Sequence, residues 1–163
     1  MQTEKIKPFV LPVVIGILIC LAAGLLGNMV TMPAVESAWF FELNKPFFQP
    51  PNWLFAPVWT ILYILMGVVA GMVFVTDRKS MTGKTALILF AVQLILNILW
   101  SFLFFGAHML LGAFIDIILL WIILIATIVY FWKINRAAAW MLIPYILWVT
   151  FATVLTGTIF LMN

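Results

Sequence analysis

Polar side chains are rare inside the long apolar stretches of this 163-residue chain, and their spacing is regular. In the third stretch, Gln93, Asn97 and Ser101 recur every four residues, which places them on one face of a helix. Trp59 and Tyr63 have the same spacing in the second stretch. Amides and aromatic rings in the interior of a bundle either bond to one another across helices or line a ligand pocket.

The fourth and fifth stretches add polar and aromatic groups at a similar depth. Asp116 is the acid inside the fourth stretch, and Trp148, Ala152 and Thr156 share a face of the fifth. At ~1.5 Å per residue, these positions lie roughly 10–20 Å below one end of their helices. Unpaired polar groups in hydrocarbon cost several kcal/mol, so we expect them to converge inside the bundle. Asp116 fits a proton relay, a ligand contact or a structural anchor.

The composition requires lipid as the main solvent. Hydrophobic residues make up 67% of the chain and charged residues 8%, and the mean hydropathy is +1.27. A net charge of +3 is too small to indicate nucleic-acid binding. With 1 cysteine and 1 histidine, the chain offers neither an internal disulfide nor a metal site built from protein ligands alone.

Charged and turn-forming residues divide the chain into apolar stretches that each reach the ~20 residues needed to cross a bilayer. We predict an all-α integral membrane bundle forming a single domain over residues 1–163. Its five transmembrane helices are predicted at about 8–28, 52–75, 84–105, 109–133 and 138–161, with a long loop at 28–51. Gly67 and Gly71 share a helix face with Trp59, which favours close packing inside the bundle over a dimer face.

The basic residues predict the orientation of the bundle. Of the 8 lysines and arginines, all but Lys45 fall on the side of the N-terminus. The positive-inside rule then places the N-terminus in the cytoplasm and the C-terminus outside, with the cell membrane as the expected location. The long first loop therefore faces outward.

Prolines and aromatic residues are concentrated where this loop enters the second helix, in "KPFFQPPNWLFAPVWTILY" (45–63). Pro50 and Pro51 suit a helix start, where an amide N–H is not required. Pro57 lies within the predicted helix and removes one internal hydrogen bond. The segment predicts a stiff aromatic rim at the mouth of a ligand pocket.

Three motifs resemble those of a known family. "KPFFQPPNWLFAPVWTILYILMG" is similar to the signature of the translocator protein family, also called the tryptophan-rich sensory protein or peripheral benzodiazepine receptor family. "QLILNILWSFLFFGA" (93–107) and "PYILWVTFATVL" (144–155) resemble its third- and fifth-helix motifs, in the same order. The resemblance extends from Gly24 to Asn163. Phe48 departs from it, because the family usually has tryptophan there.

The resemblance implies a five-helix bundle, commonly a homodimer, with a pocket that opens toward the first loop. It implies porphyrins such as protoporphyrin IX, and synthetic isoquinoline carboxamides, as ligands. The porphyrin is the ligand or the substrate, so a further cofactor is not expected.

Individual site residues also follow from the resemblance. Asn97 and Ala152 match pocket positions, and Trp59 and Trp148 match two tryptophans tied to light- and oxygen-dependent porphyrin breakdown. The complete predicted ligand-binding set is Trp59, Tyr63, Asn97, Trp100, Trp148 and Ala152. Gln93 and Asp116 are predicted as polar support.

Three functions are compatible with the predicted pocket and with the family resemblance. The leading one is a receptor-like membrane protein that binds porphyrins, and the alternative is an enzyme-like porphyrin breakdown in which Trp59 and Trp148 take part. A transporter is less favoured, because Asp116 is predicted off-centre in the bilayer and the sequence shows no inverted repeat.

Overall fold

The regular structure of this protein is helical throughout the described residues. A computed structural model describes the backbone of residues 3–163 and the side chains of residues 9–163. The helices are α1 (Thr3–Val35), α2 (Ala38–Glu42), α3 (Asn52–Asp77), α4 (Met81–Ser101), a π-helical turn (Phe102–Gly106), α5 (Leu110–Ile134), α6 (Arg136–Met141) and α7 (Ile143–Met162). The predicted all-α fold is confirmed.

Five spans of the described chain are long and apolar enough to cross a membrane. They are Phe9–Val35, Asn52–Asp77, Met81–Gly106, Leu110–Ile134 and Arg136–Met162, with mean hydropathies of 1.8 to 2.9. Large apolar side chains such as Leu18 and Ile95 are exposed on the outside of the bundle. Lipid solvates such a surface, so the chain is an integral membrane protein with the predicted number of spans.

The first connection contains more helix than the sequence predicts. α1 continues past the predicted end at residue 28, and α2 occupies part of the predicted loop. The extension of α1 packs against the π-helical turn that follows α4. Ser37 begins α2, because its hydroxyl accepts a hydrogen bond from the Phe40 N–H at 3.3 Å. Tertiary contacts therefore extend the helix into a stretch that local residue preferences leave undecided.

The fifth span consists of two helices where the sequence predicts a single one at 138–161. α6 begins after Asn135, whose side chain accepts a hydrogen bond from the Ala138 N–H at 3.2 Å. α7 carries Pro144 in its first turn. Proline supplies no amide N–H, so it fits a helix start and interrupts a continuing helix. The break lets α6 contact α3 and α5, while α7 packs along α5.

Glycines bring α1 and α3 into backbone contact. A Cβ added to Gly67 would lie 2.3 Å from the Cα of Ile17, and one added to Gly71 would lie 2.5 Å from the Cα of Val13. A Cβ on Gly16 would lie 2.4 Å from the carbonyl oxygen of Gly67. The prediction that Gly67 and Gly71 pack inside the bundle is confirmed.

Replacing Gly67 by alanine tests this contact. We expect the thermal unfolding midpoint in detergent to fall by roughly 5 °C, because the new methyl group would force α1 and α3 apart. Gly112→Ala on α5 is the matched control, since its added Cβ would meet its nearest neighbour at 3.5 Å, an ordinary contact. Equal midpoints for the two variants would contradict the prediction.

Candidate functional site

A series of hydrogen bonds links three spans in the bundle interior. The Tyr63 hydroxyl on α3 donates to Oδ1 of Asn97 on α4 at 2.5 Å, and Nδ2 of Asn97 donates to the Tyr145 hydroxyl on α7 at 2.9 Å. The Tyr145 hydroxyl donates in turn to Oε1 of Gln93 at 2.8 Å. All these side chains are buried. We call them the polar chain: Tyr63, Asn97, Tyr145 and Gln93.

The polar chain determines how α3, α4 and α7 meet. Each of its bonds satisfies a group that hydrocarbon cannot solvate. Tyr145 bonds to both amides and lies at the centre of the chain, although it is missing from the predicted site residues. A phenol inside an apolar stretch was the sequence signal that could have found it. Gln93 and Asn97 bond across helices, as polar groups on one helix face are expected to do.

Trp59 packs against the polar chain. Its ring centroid lies 5.6 Å from that of Tyr63 and 6.3 Å from that of Tyr145, with the latter planes inclined at 70°. Such tilted and edge-to-face contacts suit the charge distribution of aromatic rings. Trp59 and the two tyrosines that bond to Asn97 therefore form one aromatic group.

Trp148 stands one turn further along α7 and has different neighbours. Its ring lies 5.8 Å from Phe55 on α3 and 5.5 Å from Phe151. Its Nε1 atom is buried and has no hydrogen-bond partner among the described residues. The indole N–H is thus available to a further acceptor.

An apolar cleft lies between α3 and α7. α3 packs on α1 and α4 and meets the fifth span mainly through α6, so its backbone does not run against that of α7. The cleft has a volume of about 490 Å³, and its walls include Val58 and Leu62 from α3 and Trp148 and Phe151 from α7. It opens to the outside of the bundle, where acyl chains lie in a membrane.

Side chains fill the space beside the polar chain. Ala152 is buried in the same apolar cluster as Tyr63 and Tyr145, with Trp59 and Trp148 packed against that cluster. A ligand at Asn97 must therefore displace aromatic rings or enter from the cleft.

Trp100 and Asp116 are not bonded to the polar chain. The Trp100 ring stacks on Phe104 at 5.4 Å and meets Phe105 edge-on at 5.8 Å. Asp116 is 4% exposed on α5. Within the described part of the chain, Nε1 of Trp100 and both carboxyl oxygens of Asp116 have no hydrogen-bond partner.

The segment between α1 and α3 (residues 36–51) covers one end of the bundle, and we call it the lid. Phe40 and Phe48 of the lid pack into an apolar cluster with residues at the ends of α5 and α7 and in the π-helical turn. The Trp39 ring stacks on His108 at 3.8 Å, with the planes inclined at 9°. Aromatic side chains thus close the end of the bundle where the sequence predicts a pocket mouth.

Exposed hydrogen bonds hold the lid in place. The Asn44 N–H donates to Oδ1 of Asn163 at 2.9 Å, and Nδ2 of Asn163 donates to the Asn44 carbonyl at 3.0 Å. The Lys45 ammonium donates to the carbonyls of Phe40 and Leu43 at the end of α2. Partial desolvation lowers the pKa of Lys45 below its ordinary value. Water competes for the exposed bonds between Asn44 and Asn163, so these bonds can open more easily than the buried bonds of the polar chain.

Comparison with known proteins identifies the family. Residues 16–162 match the TspO/MBR family. The chain belongs to the TspO/MBR family. It is 42% identical over 145 residues to the tryptophan-rich protein TspO of Chlorobaculum tepidum, covering 89% of this chain and 91% of that protein. It is 41% identical to the Archaeoglobus fulgidus protein of the same name, covering 94% and 98%.

More distant members of the TspO/MBR family are also similar. The human translocator protein is 36% identical, with 72% of this chain and 70% of that protein aligned. The matched region contains every member of the polar chain, both cleft helices and the lid. The resemblance recognised in the three motifs is therefore confirmed at the level of the family.

The Tyr145→Phe variant tests the role of the polar chain. Loss of the hydroxyl leaves Nδ2 of Asn97 and Oε1 of Gln93 buried without a partner, at a cost of roughly 1–3 kcal/mol. We expect the thermal unfolding midpoint in detergent to fall by about 5 °C. Tyr130→Phe is the control, because Tyr130 is half-buried and lies outside the polar chain. A polar chain without structural importance would give both variants the same midpoint.

Proposed function

We propose that this TspO/MBR member is a receptor-like membrane protein that binds protoporphyrin IX and similar flat apolar molecules. The ligand lies beneath the lid, between α3 and α7. The observation that carries the proposal is the aromatic group of Trp59, Tyr63 and Tyr145, whose two tyrosines bond to the buried amide of Asn97, beside an apolar cleft. Relatives named as sensory and translocator proteins agree with a ligand-binding role.

The chemistry of the site suits a flat ring system. Aromatic side chains stack on a macrocycle, and a few fixed polar groups orient it. The cleft volume of about 490 Å³ falls in the range of roughly 300–1,000 Å³ that is usual for small-molecule sites. The free indole N–H of Trp148 offers a donor to a ligand acceptor at the cleft wall.

The cleft also favours entry from the membrane. Its open side faces the acyl chains, in which a porphyrin concentrates. The contact between the rings of Phe55 and Trp148 joins α3 to α7, and Phe55 also packs against the apolar cluster under the lid. A ligand that enters between α3 and α7 separates these two rings to reach Trp59 and the polar chain.

A titration of detergent-solubilised protein with protoporphyrin IX tests the proposal. We expect a saturable shift of the Soret band for the wild type, and an affinity lower by roughly tenfold for Asn97→Leu, which removes the orienting amide. Trp59→Leu and Trp148→Leu should also weaken binding, because each removes a stacking surface.

The control for this titration is Trp132→Leu. Trp132 is exposed and pairs with Trp140 near the other end of α5. Its replacement should leave the affinity unchanged. A wild type that does not saturate, or site variants that bind as tightly as the control, would overturn the proposed function.

A second candidate function is light- and oxygen-dependent breakdown of the bound porphyrin. The observation that favours it is the proximity of oxidisable rings, since Trp59 contacts both Tyr63 and Tyr145 and Trp148 borders the cleft. The porphyrin absorbs light and is itself oxidised, and dioxygen is the oxidant. Trp59 and Trp148 would hold the macrocycle and exchange single electrons with it.

Illuminated turnover separates this candidate from simple binding. Trp148→Phe keeps an aromatic ring, so porphyrin affinity should change little, while loss of the Soret band under light and oxygen should slow several-fold if the indole takes part. Equal bleaching by the variant, the wild type and porphyrin in detergent alone would exclude the candidate.

We further propose that the lid end faces outward from the cell membrane and the N-terminus faces the cytoplasm. The basic residues Arg78, Lys79 and Lys84 lie at the opposite end of the bundle and support this orientation. Lys5 and Lys7 are outside the residues whose side chains the structure describes. Labelling of a cysteine introduced at Lys79 by an impermeant reagent in intact cells would contradict it. The predicted partners of the protein stay predictions: they are protoporphyrin IX, isoquinoline carboxamides and a second copy of the chain.

A further inference from the structure

Asp116 is a buried acid that the polar chain does not use. Its side chain is on α5, where the residue is 4% exposed, and neither carboxyl oxygen has a hydrogen-bond partner within the described residues. Burying a carboxyl group without partners is costly in an apolar interior. A group maintained at that cost is a candidate for ligand contact.

The packing of α4 on α5 gives the level of Asp116 in the bundle. Near the connection, a Cβ on Gly112 would lie 3.8 Å from the Leu103 side chain, and deeper in the bundle Phe90 stacks on Phe131 at 6.0 Å. Because α4 and α5 run in opposite directions, these two contacts set the register between them. In that register, Trp100 of α4 lies at the same height along the bundle axis as Asp116.

The packing of α5 on α7 gives the second neighbour. Nε1 of Trp121 donates to the Thr150 hydroxyl at 2.8 Å, and the Phe114 ring stacks on Phe160 at 6.1 Å. Asp116 lies between these two contacts along α5. In the register that they set, Thr156 of α7 lies at about the same height along the bundle axis as Asp116. Thr156 is itself 1% exposed, so both side chains belong to the bundle interior.

This level lies directly beneath the lid. Ala113, one turn before Asp116, belongs to the apolar cluster that receives Phe40 of the lid. Leu120, one turn after it, belongs to the larger cluster that contains Tyr63 and Tyr145. Trp100 packs against both clusters. Asp116, Trp100 and Thr156 therefore lie at a similar height in the bundle, between the lid and the polar chain.

We propose that Asp116 accepts a hydrogen bond from an N–H group of the ligand, and so selects flat apolar molecules that carry an amine. This inference rests on the proposed function, because the ligand must already occupy the bundle beneath the lid. A carboxyl group with two free oxygens is an acceptor site, and a protonated amine forms the strongest bond with it. Trp100 supplies a donor beside it for an acceptor on the same ligand.

Two probes of the same shape test this selection: acridine, and an aminoacridine with the amino group on its central ring. Binding of each to the detergent-solubilised full chain is followed by quenching of tryptophan fluorescence. We expect the wild type to bind the aminoacridine roughly tenfold more tightly than acridine, as a charge-assisted hydrogen bond allows. Asp116→Asn should reduce this preference, and Asp116→Leu should remove it.

Thr127→Val is the matched control. Thr127 is buried deeper on the same helix and donates to its own helix at Ile123, so its replacement should keep the preference for the aminoacridine. Asp116→Asn preserves the shape of the side chain and keeps the test valid if Asp116→Leu does not fold. An unchanged preference in the Asp116 variants would overturn the inference.

The porphyrin titration separates this inference from the proposed function. If the wild type binds protoporphyrin IX and the aminoacridine preference does not depend on Asp116, only the role of Asp116 is overturned. If the wild type binds neither porphyrin nor either acridine, the proposed function is overturned and the inference with it.

Discussion

Lipid offers no hydrogen-bond partner to a polar side chain, and this constraint shapes the interior of the bundle. Tyr63, Asn97, Tyr145 and Gln93 satisfy one another across α3, α4 and α7. Their bonds hold three helices at one depth and in one orientation. Trp59 takes its position from the two tyrosines on which it packs, so the aromatic part of the site depends on the polar part.

The cleft is a consequence of how the helices are held. Backbone contact at Gly67 fixes α3 to α1, and the bond between Tyr63 and Asn97 fixes it to α4. α7 packs along α5 and is joined to the same Asn97 by the Tyr145 hydroxyl. The backbones of α3 and α7 are not closely packed on each other, so side chains close the gap between them.

The family could be predicted from the resemblance of three sequence motifs. The helical fold and the five spans could be predicted from hydropathy, which depends on local residue types. The spacing of polar and aromatic residues marked the helix faces that carry most of the candidate site residues, whose part in ligand binding stays a prediction. The central position of Tyr145 in the polar chain could not be predicted, because a helical face does not reveal which neighbouring residue it meets. The α6–α7 break and the filled mouth were also missed, although Pro144 gave a signal for the break.

The sequence by itself determined that the chain spans the membrane and which polar groups must avoid lipid. Only the tertiary structure decided which of them satisfy each other and which, like Asp116 and the indole of Trp148, have no partner among the residues whose side chains are described. The reason is physical: solvation by lipid acts on each residue separately, whereas a hydrogen bond requires two atoms from distant parts of the chain to meet at about 3 Å.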